Sequence, residues 1–383
     1  MRVDARASLG GVMRRRSRNA LHLAAAVAVA ALAATSAAPA ASPGARRPAL
    51  GLEVSGNHLT SLATGTAVRL LGVDRSGAEY ECTNAGDRSV FDGPTDAASI
   101  AAIRSWHANA VRVPLNEDCW LGISGAVPRL SGGAYRGAVA RYVAALNDAG
   151  LYVILDLHWA APGSILAHEQ WPMADADHAP AFWRSVASAF RDDRAVIFDL
   201  YNEPFVTSWA CWLRGCETTF TDAAGARVRY ATAGMQQLVD AVRSTGAANP
   251  IMLGGVGYAN DESEWAAHEP ADPDRQLIVS FHTYNFDACA SAACWDATIA
   301  PLARTTPVVT GELGENGCTD GYIDAYMAWA DAHGVSYLGW AWDATDSGWS
   351  CSSGPSLIVN YAGRPTAFGA GLERHLAQLA GAT

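Results

Sequence analysis

Two glutamates each follow a short run of strand-forming apolar residues, at widely separated points of the chain. Glu203 lies in the triplet Asn202-Glu203-Pro204 after the run 196–201, and Glu312 follows the run 308–310. Either glutamate could simply end a strand at a turn. A retaining glycosidase, however, needs two carboxylates that face each other across a sugar ring, one as proton donor and one as nucleophile. The pair therefore predicts acid–base and nucleophilic chemistry at a glycosidic bond.

The segments that would position these glutamates alternate between strand-like and helix-like patterns. Strand-like runs occupy residues 68–73, 110–114, 152–156, 196–201, 251–254, 277–281, 308–310 and 336–339. Apolar spacing of three to four residues indicates helices at 96–106, 135–149, 179–191, 227–244, 321–333 and 367–380. This alternation predicts the α/β class and a single-domain (β/α)8 TIM barrel, preceded by an N-terminal β-hairpin at 52–59. The alternative is an open doubly wound sheet, although no Gly-x-Gly-x-x-Gly turn follows the first strand.

In such a barrel the carboxyl ends of the strands line the active face. The strand ends of this chain carry a polar and aromatic set: Arg112, His158, Asn202, Glu203, His282, Tyr284, Glu312, Trp340 and Trp342. Taken singly, Arg112 could be an ordinary buried charge, and each histidine could be a satisfied core residue. Together they favour a groove that binds a sugar.

These strand ends resemble glycoside hydrolase family 5, the cellulase-like barrels whose catalytic glutamates lie on strands four and seven. The strongest match is the segment 198–204, Phe-Asp-Leu-Tyr-Asn-Glu-Pro. The resemblance implies Glu203 as acid/base and Glu312 as nucleophile, and it implies substrate-binding roles for Arg112, His158, Asn202, His282, Tyr284 and Trp342. Three features depart from the family pattern and leave the substrate open: Asp74 after the first strand, Gly311 before the nucleophile, and a second candidate, Glu315.

Charge suggests how the two glutamates would differ. Glu312 must be ionised to attack the anomeric carbon, and Arg112 with the Tyr284 hydroxyl could hold it so. Glu203 must keep its proton, and a Glu312 carboxylate about 5 Å away would raise its pKa.

Two further residues would contact the sugar directly. Asn202 is expected to reach the 2-hydroxyl of the sugar. Trp342 is expected to form the apolar floor of the cleft, rather than Trp340, because alternation along a strand turns only one of the two inward.

The N-terminus indicates export. Arginines at 14–16 and 18 precede an apolar run at 21–34 and small residues at 36–40, which predicts a secretory signal at 1–40. A linker at 41–50 and the catalytic barrel at 51–383 would follow. All 27 basic residues are arginine, and without residues 1–45 the net charge falls from −11 to about −16. That charge disfavours nucleic acid and anionic membranes as partners. We expect a secreted monomer that acts on β-linked oligo- or polysaccharides, with no cofactor or metal.

Eight cysteines, an even number in an exported chain, predict disulfides. The chain contains no Cys-x-x-Cys pair, the spacing that would favour a zinc site instead. Cysteines on the same loop, or on loops after neighbouring strands, would pair. The predicted bridges are Cys82–Cys119, Cys211–Cys216, Cys289–Cys294 and Cys318–Cys351.

The sequence thus predicts a secreted retaining β-glycoside hydrolase, with endo-β-1,4-glucanase as the leading activity. A β-mannanase, a β-1,3-glucanase or another β-glycosidase of the same family is the alternative. A sugar-binding barrel without catalysis is disfavoured because it would not need both Glu203 and Glu312.

Overall fold

The computed structural model describes residues 50–84, 86, 88–345 and 355–382. The predicted signal at 1–40, nearly all of the predicted linker and Cys351 lie outside these residues. Among the helices that are described, none has the length and apolarity needed to cross a bilayer.

Eight parallel strands close into a barrel within the described chain. They are β4 (Leu71–Asp74), β5 (Ala110–Asn116), β6 (Tyr152–Trp159), β7 (Val196–Asp199), β10 (Ile251–Gly254), β11 (Leu277–Tyr284), β12 (Val308–Gly314) and β13 (Ser336–Gly339). These strands are almost entirely buried, as expected where helices cover one face and the barrel interior the other. The predicted (β/α)8 fold is confirmed.

Helices connect most of these strands. They are α1 (Ala97–Ser105), α2 (Glu117–Leu121), α3 (Gly133–Asp148), α4 (Ala179–Phe190), α5 (Trp209–Arg214), α6 (Met235–Arg243), α7 (Val256–Ala259), α8 (Ala292–Ala303), α9 (Gly321–His333) and α10 (Ala367–Ala382). Short 3-10 turns span Glu81–Thr83, Pro128–Leu130 and Trp265–Ala267. Helices α2, α5, α7 and α8 were not among the predicted helices.

Two predicted segments were wrong at their starts. The run 68–73 is divided, because β3 (Ala67–Val68) pairs with an N-terminal strand and only β4 enters the barrel. The predicted helix 227–244 begins at Met235, whereas β9 (Arg227–Ala231) pairs antiparallel with β8 (Glu217–Thr221). Residues 227–231 alternate between exposed and more buried positions, a strand pattern that the helical reading missed.

The predicted N-terminal hairpin is present and closes the amino-terminal end of the barrel. Strands β1 (Leu52–Ser55) and β2 (His58–Ser61) pair antiparallel, and β3 adds to β2. The Leu52 amide donates to the Arg194 carbonyl, 2.9 Å away, just before β7. A separate apolar cluster lies here, formed by Leu52, Leu59 and Leu70 with Ile154, Ile197, Met252 and other residues of the barrel strands.

Above the carboxyl end of the barrel, the loop from β6 to α4 (residues 160–178, here the β6–α4 loop) packs on the β8–β9 hairpin. Ala161, Ala167 and Trp171 of the loop form a small buried cluster with Tyr230 of β9. The Tyr230 hydroxyl also donates to the Met173 carbonyl at 2.9 Å. The loop therefore has a hydrophobic core of its own.

Three predicted disulfides are present at this end of the barrel: Cys82–Cys119, Cys211–Cys216 and Cys289–Cys294. The fourth predicted bridge, Cys318–Cys351, involves a residue outside the described part of the chain. A last two-stranded sheet, β14 (Ile358–Asn360) with β15 (Arg364–Pro365), precedes α10.

Candidate active site

Arg112 lies at the centre of a buried network inside the barrel. Its side chain is fully buried on β5 and contacts four carboxylates within 3.1 Å. Its Nη2 also donates to Asn202 Oδ1 at 2.8 Å. We call the arginine and its four acids the Arg112 cluster: Arg112, Asp74, Asp156, Asp199 and Glu312. One cation serves four acids here, and burial raises the pKa of Asp156 and of Asp199 to about 7.

Glu312, on β12, receives both donors that the sequence suggested for it. Arg112 Nη1 lies 2.8 Å from one carboxylate oxygen, and the Tyr284 hydroxyl donates to the other at 2.6 Å. Only 3% of Glu312 is exposed. Hydrogen bonds from a guanidinium and a phenol favour the ionised carboxylate, the form that a nucleophile requires.

Glu203 lies opposite, just past the end of β7. One of its oxygens is within 4.8 Å of Glu312, and its Oε1 is 3.1 Å from His282 Nδ1. Burial raises the pKa of Glu203 to about 8; Arg112 opposes the shift, and Asp287 adds to it. The main cause is therefore burial, and not the charge of Glu312 that the sequence analysis invoked.

The two predicted histidines are buried and neutral. Burial lowers the pKa of His282 to about 3 and that of His158 to about 4. His158 Nδ1 is 2.7 Å from Asp156 of the Arg112 cluster, which fixes the ring orientation. A neutral His282 can share one hydrogen with Glu203 without adding a charge to the site.

Gln170 of the β6–α4 loop holds the Asn202-Glu203 segment in place. Its side chain donates to the Glu203 carbonyl at 3.1 Å and accepts from Asn202 Nδ2 at 3.2 Å. Sequence reasoning missed this residue, because a single glutamine in a loop belongs to no recognisable motif.

These groups line a cavity of about 530 Å³ formed by His158, Asn202, Glu203, Tyr258, Tyr284, Phe286, Asp287, Glu312, Trp340 and Pro355. Larger depressions of about 780 and 640 Å³ lie elsewhere on the described surface, but neither contains a predicted site residue. The acids and aromatic rings identify the smaller cavity as the candidate site.

The predicted role of Trp342 is wrong. Its side chain is fully buried, and its ring packs edge-on against Trp106 at 4.8 Å. Trp340 lines the cavity instead and stacks on His158 with 5.3 Å between ring centroids. Strand β13 ends at Gly339, so both tryptophans lie beyond it and strand alternation does not decide which one faces the cavity. The peptide that joins Trp340 to Ala341 is cis.

A tight turn adds an aromatic ring that the sequence analysis did not include. Gly257, Tyr258 and Ala259 all have positive φ, at 62°, 65° and 53°. Tyr258 is 51% exposed, lines the cavity and stacks on Phe205 at 4.7 Å. The nearby Phe286, 62% exposed, stacks in the same way on Tyr284. Exposed aromatic faces of this kind suit the apolar faces of sugar rings.

Glu315, the second nucleophile candidate, is directed away from the cavity. Its carboxylate accepts hydrogen bonds from the Tyr322 and Ile323 amides at 2.8 and 3.2 Å, in the first turn of α9. It therefore caps a helix.

The fold and the facing glutamates define a (β/α)8 barrel with an acidic, aromatic cleft at the carboxyl ends of its strands. Residues 71–346 match the sequence model of the cellulase family, glycosyl hydrolase family 5. The chain belongs to this family.

The relatives include enzymes with two different activities, a mannosidase and an endoglucanase. The chain is 28% identical over 270 residues to a mannan endo-1,4-beta-mannosidase of Streptomyces lividans, covering 67% of this chain and 60% of the relative. It is 25% identical over 214 residues to the endoglucanase CelA of the same organism, covering 53% and 40%. This chain thus spans only part of the length of either relative. A β-glucanase of Saccharophagus degradans, solved with cellotetraose, superposes with a TM-score of 0.64 at 18% identity, covering 86% of this chain and 94% of that one. At that identity the likeness concerns the fold.

Proposed function

We propose that this chain is a secreted retaining β-glycoside hydrolase that cleaves β-linked polysaccharides. The observation that carries the proposal is the pair Glu203 and Glu312, with carboxylate oxygens within 4.8 Å of each other and opposite surroundings. Glu312 has two strong donors, whereas burial keeps Glu203 protonated at neutral pH. Carboxyl groups about 5 Å apart leave no room for a water between them and the sugar, which favours the retaining mechanism.

The reaction then proceeds in two displacements. Glu312 attacks the anomeric carbon while Glu203 gives its proton to the leaving oxygen, and the glycosidic C–O bond breaks as the glycosyl–Glu312 bond forms. Glu203, now ionised, takes a proton from water, and that water attacks the anomeric carbon and releases Glu312. Arg112 and Tyr284 stabilise Glu312 as it leaves. Asn202, held by Arg112 and Gln170, is placed to meet the 2-hydroxyl of the sugar.

The leading substrate is a β-1,4-glucan cleaved internally. Aromatic rings from separate loops line the cleft, namely Trp340, Tyr258 and Phe286, and such a row suits several sugar units of one chain. A β-1,4-mannan is the second candidate, and the identity to the mannosidase supports it. Release of reducing sugar from glucan, mannan and β-1,3-glucan, measured in parallel, decides between them.

The remaining features of the proposal concern location and partners. Three disulfides support an extracellular location, because such bonds persist in oxidising compartments. We propose a monomer that uses no organic cofactor, and an acidic chain of this kind is not expected to bind nucleic acid or membranes.

Azide rescue tests the assignment of roles. Glu312→Ala should lose nearly all turnover on every substrate, and azide should restore activity by forming an α-glycosyl azide. Glu203→Ala should keep part of its activity on aryl glycosides with good leaving groups, which need little protonation, and azide should give the β product. The reverse pattern would exchange the two roles. An α anomer as the first product of the unaltered enzyme, followed by NMR, would overturn the retaining mechanism.

A further inference from the structure

A second group of titratable side chains lies outside the cleft, where α2 meets the β6–α4 loop. We call Glu117, Asp175 and His178 the Glu117 cluster. One ligand atom of each residue lies within 4.8 Å of one from each of the others. His178 Nδ1 is 3.9 Å from Glu117 Oε1 and 3.8 Å from Asp175 Oδ1. The three side chains converge from two separate segments on one small volume.

The atoms that face this volume have no partners of their own. Glu117 is fully buried, and neither of its carboxylate oxygens accepts a hydrogen bond of normal geometry. Asp175 Oδ2 and His178 Nδ1 are also buried without a partner. Within the described residues, no arginine forms an ion pair with any of the three. Buried carboxylates without partners are costly, so such a group calls for a compensating positive charge.

A shared proton is one way to supply that charge. Burial raises the pKa of Glu117 and that of Asp175, the latter to about 8, and the Ala161 amide only partly offsets the effect at Glu117. A single proton, however, bridges only one pair of oxygens. It would leave the ring nitrogen of His178 without a partner.

A divalent cation would accept one ligand atom from each of the three side chains at once. We propose that the Glu117 cluster binds a divalent transition-metal ion, of which Mn²⁺ and Zn²⁺ are the probes. Two carboxylates and an imidazole suit these ions, whereas Ca²⁺ and Mg²⁺ prefer oxygen ligands alone. This proposal departs from the sequence-based expectation of a chain without a metal.

The surroundings of the cluster suit an ion. The His178 amide donates to Asp175 Oδ1 at 2.7 Å, which orients that carboxylate. Asp118 and Asp177 lie next to the ligands and add negative charge while accepting backbone hydrogen bonds at 2.8 Å. A quarter of the His178 side chain is exposed, which gives the ion a path from solvent.

An ion here would tie α2 to the β6–α4 loop. That loop carries Gln170, whose side chain holds the backbone of Glu203. The Glu117 cluster would thus be a positioning site that keeps the loop in place and does not touch the substrate. Only this last link rests on the proposed function, because ion binding itself can be measured without any turnover.

Calorimetry and thermal unfolding of the full chain test the site. After dialysis against EDTA, titration with Mn²⁺ or Zn²⁺ should show one strong site. The unfolding temperature should rise by roughly 3–5 °C at a hundredfold excess over Kd. The measurements are made in a Glu312→Gln background, which removes a catalytic carboxylate as a competing ligand.

Three variants locate the ion. Glu117→Gln and His178→Ala should each weaken binding at least tenfold and abolish the thermal shift, and His178→Ala changes only a partly exposed side chain. The matched control is Glu217→Gln, an exposed acid on the nearby β8–β9 hairpin, and it should bind like the parent. Absence of binding at millimolar Mn²⁺ and Zn²⁺, or equal binding by all three variants, would overturn the proposal.

Discussion

The Arg112 cluster and the Glu117 cluster both hold several buried carboxylates, but they differ in the positive charge that lies beside them. In the first, four buried carboxylates surround one guanidinium that reaches each of them within 3.1 Å. In the second, two buried carboxylates face a histidine, with no arginine pairing to them among the described residues. Both clusters adjoin β5, because Arg112 lies in that strand and Glu117 follows it directly.

The comparison leads us to expect that each buried acid is balanced by the positive charge nearest to it, which is an arginine, a proton or a metal ion. Glu312 forms an ion pair with the guanidinium of Arg112. Glu203 forms no ion pair with an arginine in the described structure, and burial makes it keep a proton instead. The Glu117 cluster, without arginine and with more ligand atoms than one proton can serve, fits a metal ion. The following variants test this division, beginning with the largest expected effect.

Removal of Arg112 should be the most damaging change. Arg112→Ala leaves the carboxylates of its cluster buried without a cation, which should cost ~3–5 kcal/mol of unfolding free energy. Glu312 should also lose its charge partner and most of the turnover with it. Urea unfolding and kcat on an aryl glycoside measure the two losses.

Arg243→Ala is the control for this change. Arg243 forms a buried ion pair with Asp272 at 2.7 Å, outside the residues of the cleft. Its loss should destabilise the protein but leave kcat unchanged. An Arg112→Ala enzyme with parental kcat would show that turnover does not depend on the ion pair between Arg112 and Glu312.

The disulfide Cys82–Cys119 should support the Glu117 cluster, because Cys119 lies two residues beyond Glu117 in α2. The bridge spans 37 residues, so loop entropy predicts that its removal by paired serines costs ~4 kcal/mol. Removal of Cys289–Cys294, which spans only 5, should cost ~2 kcal/mol. Only the first variant should also weaken Mn²⁺ or Zn²⁺ binding. Equal Mn²⁺ or Zn²⁺ affinity in the two double variants would show that the Cys82–Cys119 disulfide does not support the Glu117 cluster.

Trp340 extends the Arg112 cluster into the cleft through His158 and Asp156. Trp340→Ala should raise KM roughly tenfold, because a sugar would lose a stacking surface. Trp342→Ala should leave KM unchanged and lower stability by ~3–5 kcal/mol through the cavity it creates. Michaelis constants and unfolding curves for both variants check this, and a KM effect at Trp342 would restore the original prediction.

The smallest expected effect is on the pH profile. In the proposed mechanism Glu203 acts as an acid in its protonated form, so kcat/KM should fall as the pH rises through about 8. The charge of Asp287 raises the pKa of Glu203, and Asp287→Asn should therefore move this limb to lower pH by a fraction of a unit. The exposed Asp274→Asn should leave it unchanged. A shift to higher pH in the Asp287 variant would contradict the assignment.

The barrel and its two facing glutamates were predictable because their signals are local. Parallel strands that are covered on both faces appear as continuous apolar runs, and the residues that end them must converge. Glu203, Glu312, Arg112 and Tyr284 could therefore be placed together from their positions alone. Helix α6 was also predicted from a local pattern, the spacing of its apolar residues, but the residue at which it begins was not.

The features that were missed depend on contacts that sequence patterns do not carry. Trp340 and Trp342 follow the end of β13, where alternation no longer determines which side chain turns inward. Gln170 matters because of where the β6–α4 loop folds, and the Glu117 cluster joins residues about sixty positions apart. In each case the deciding contact is tertiary, and the pattern of residues adjacent in the sequence does not predict it.

The turn at Gly257–Tyr258–Ala259 has a consequence for directed evolution. Left-handed φ costs an ordinary L-residue ~1–2 kcal/mol, and Tyr258 and Ala259 both adopt it. A screen for heat resistance alone should therefore enrich glycine or asparagine at position 258 early. Each such gain would remove the ring that stacks on Phe205 in the cleft. Selection for thermostability and selection for affinity toward long substrates should thus diverge at this one codon.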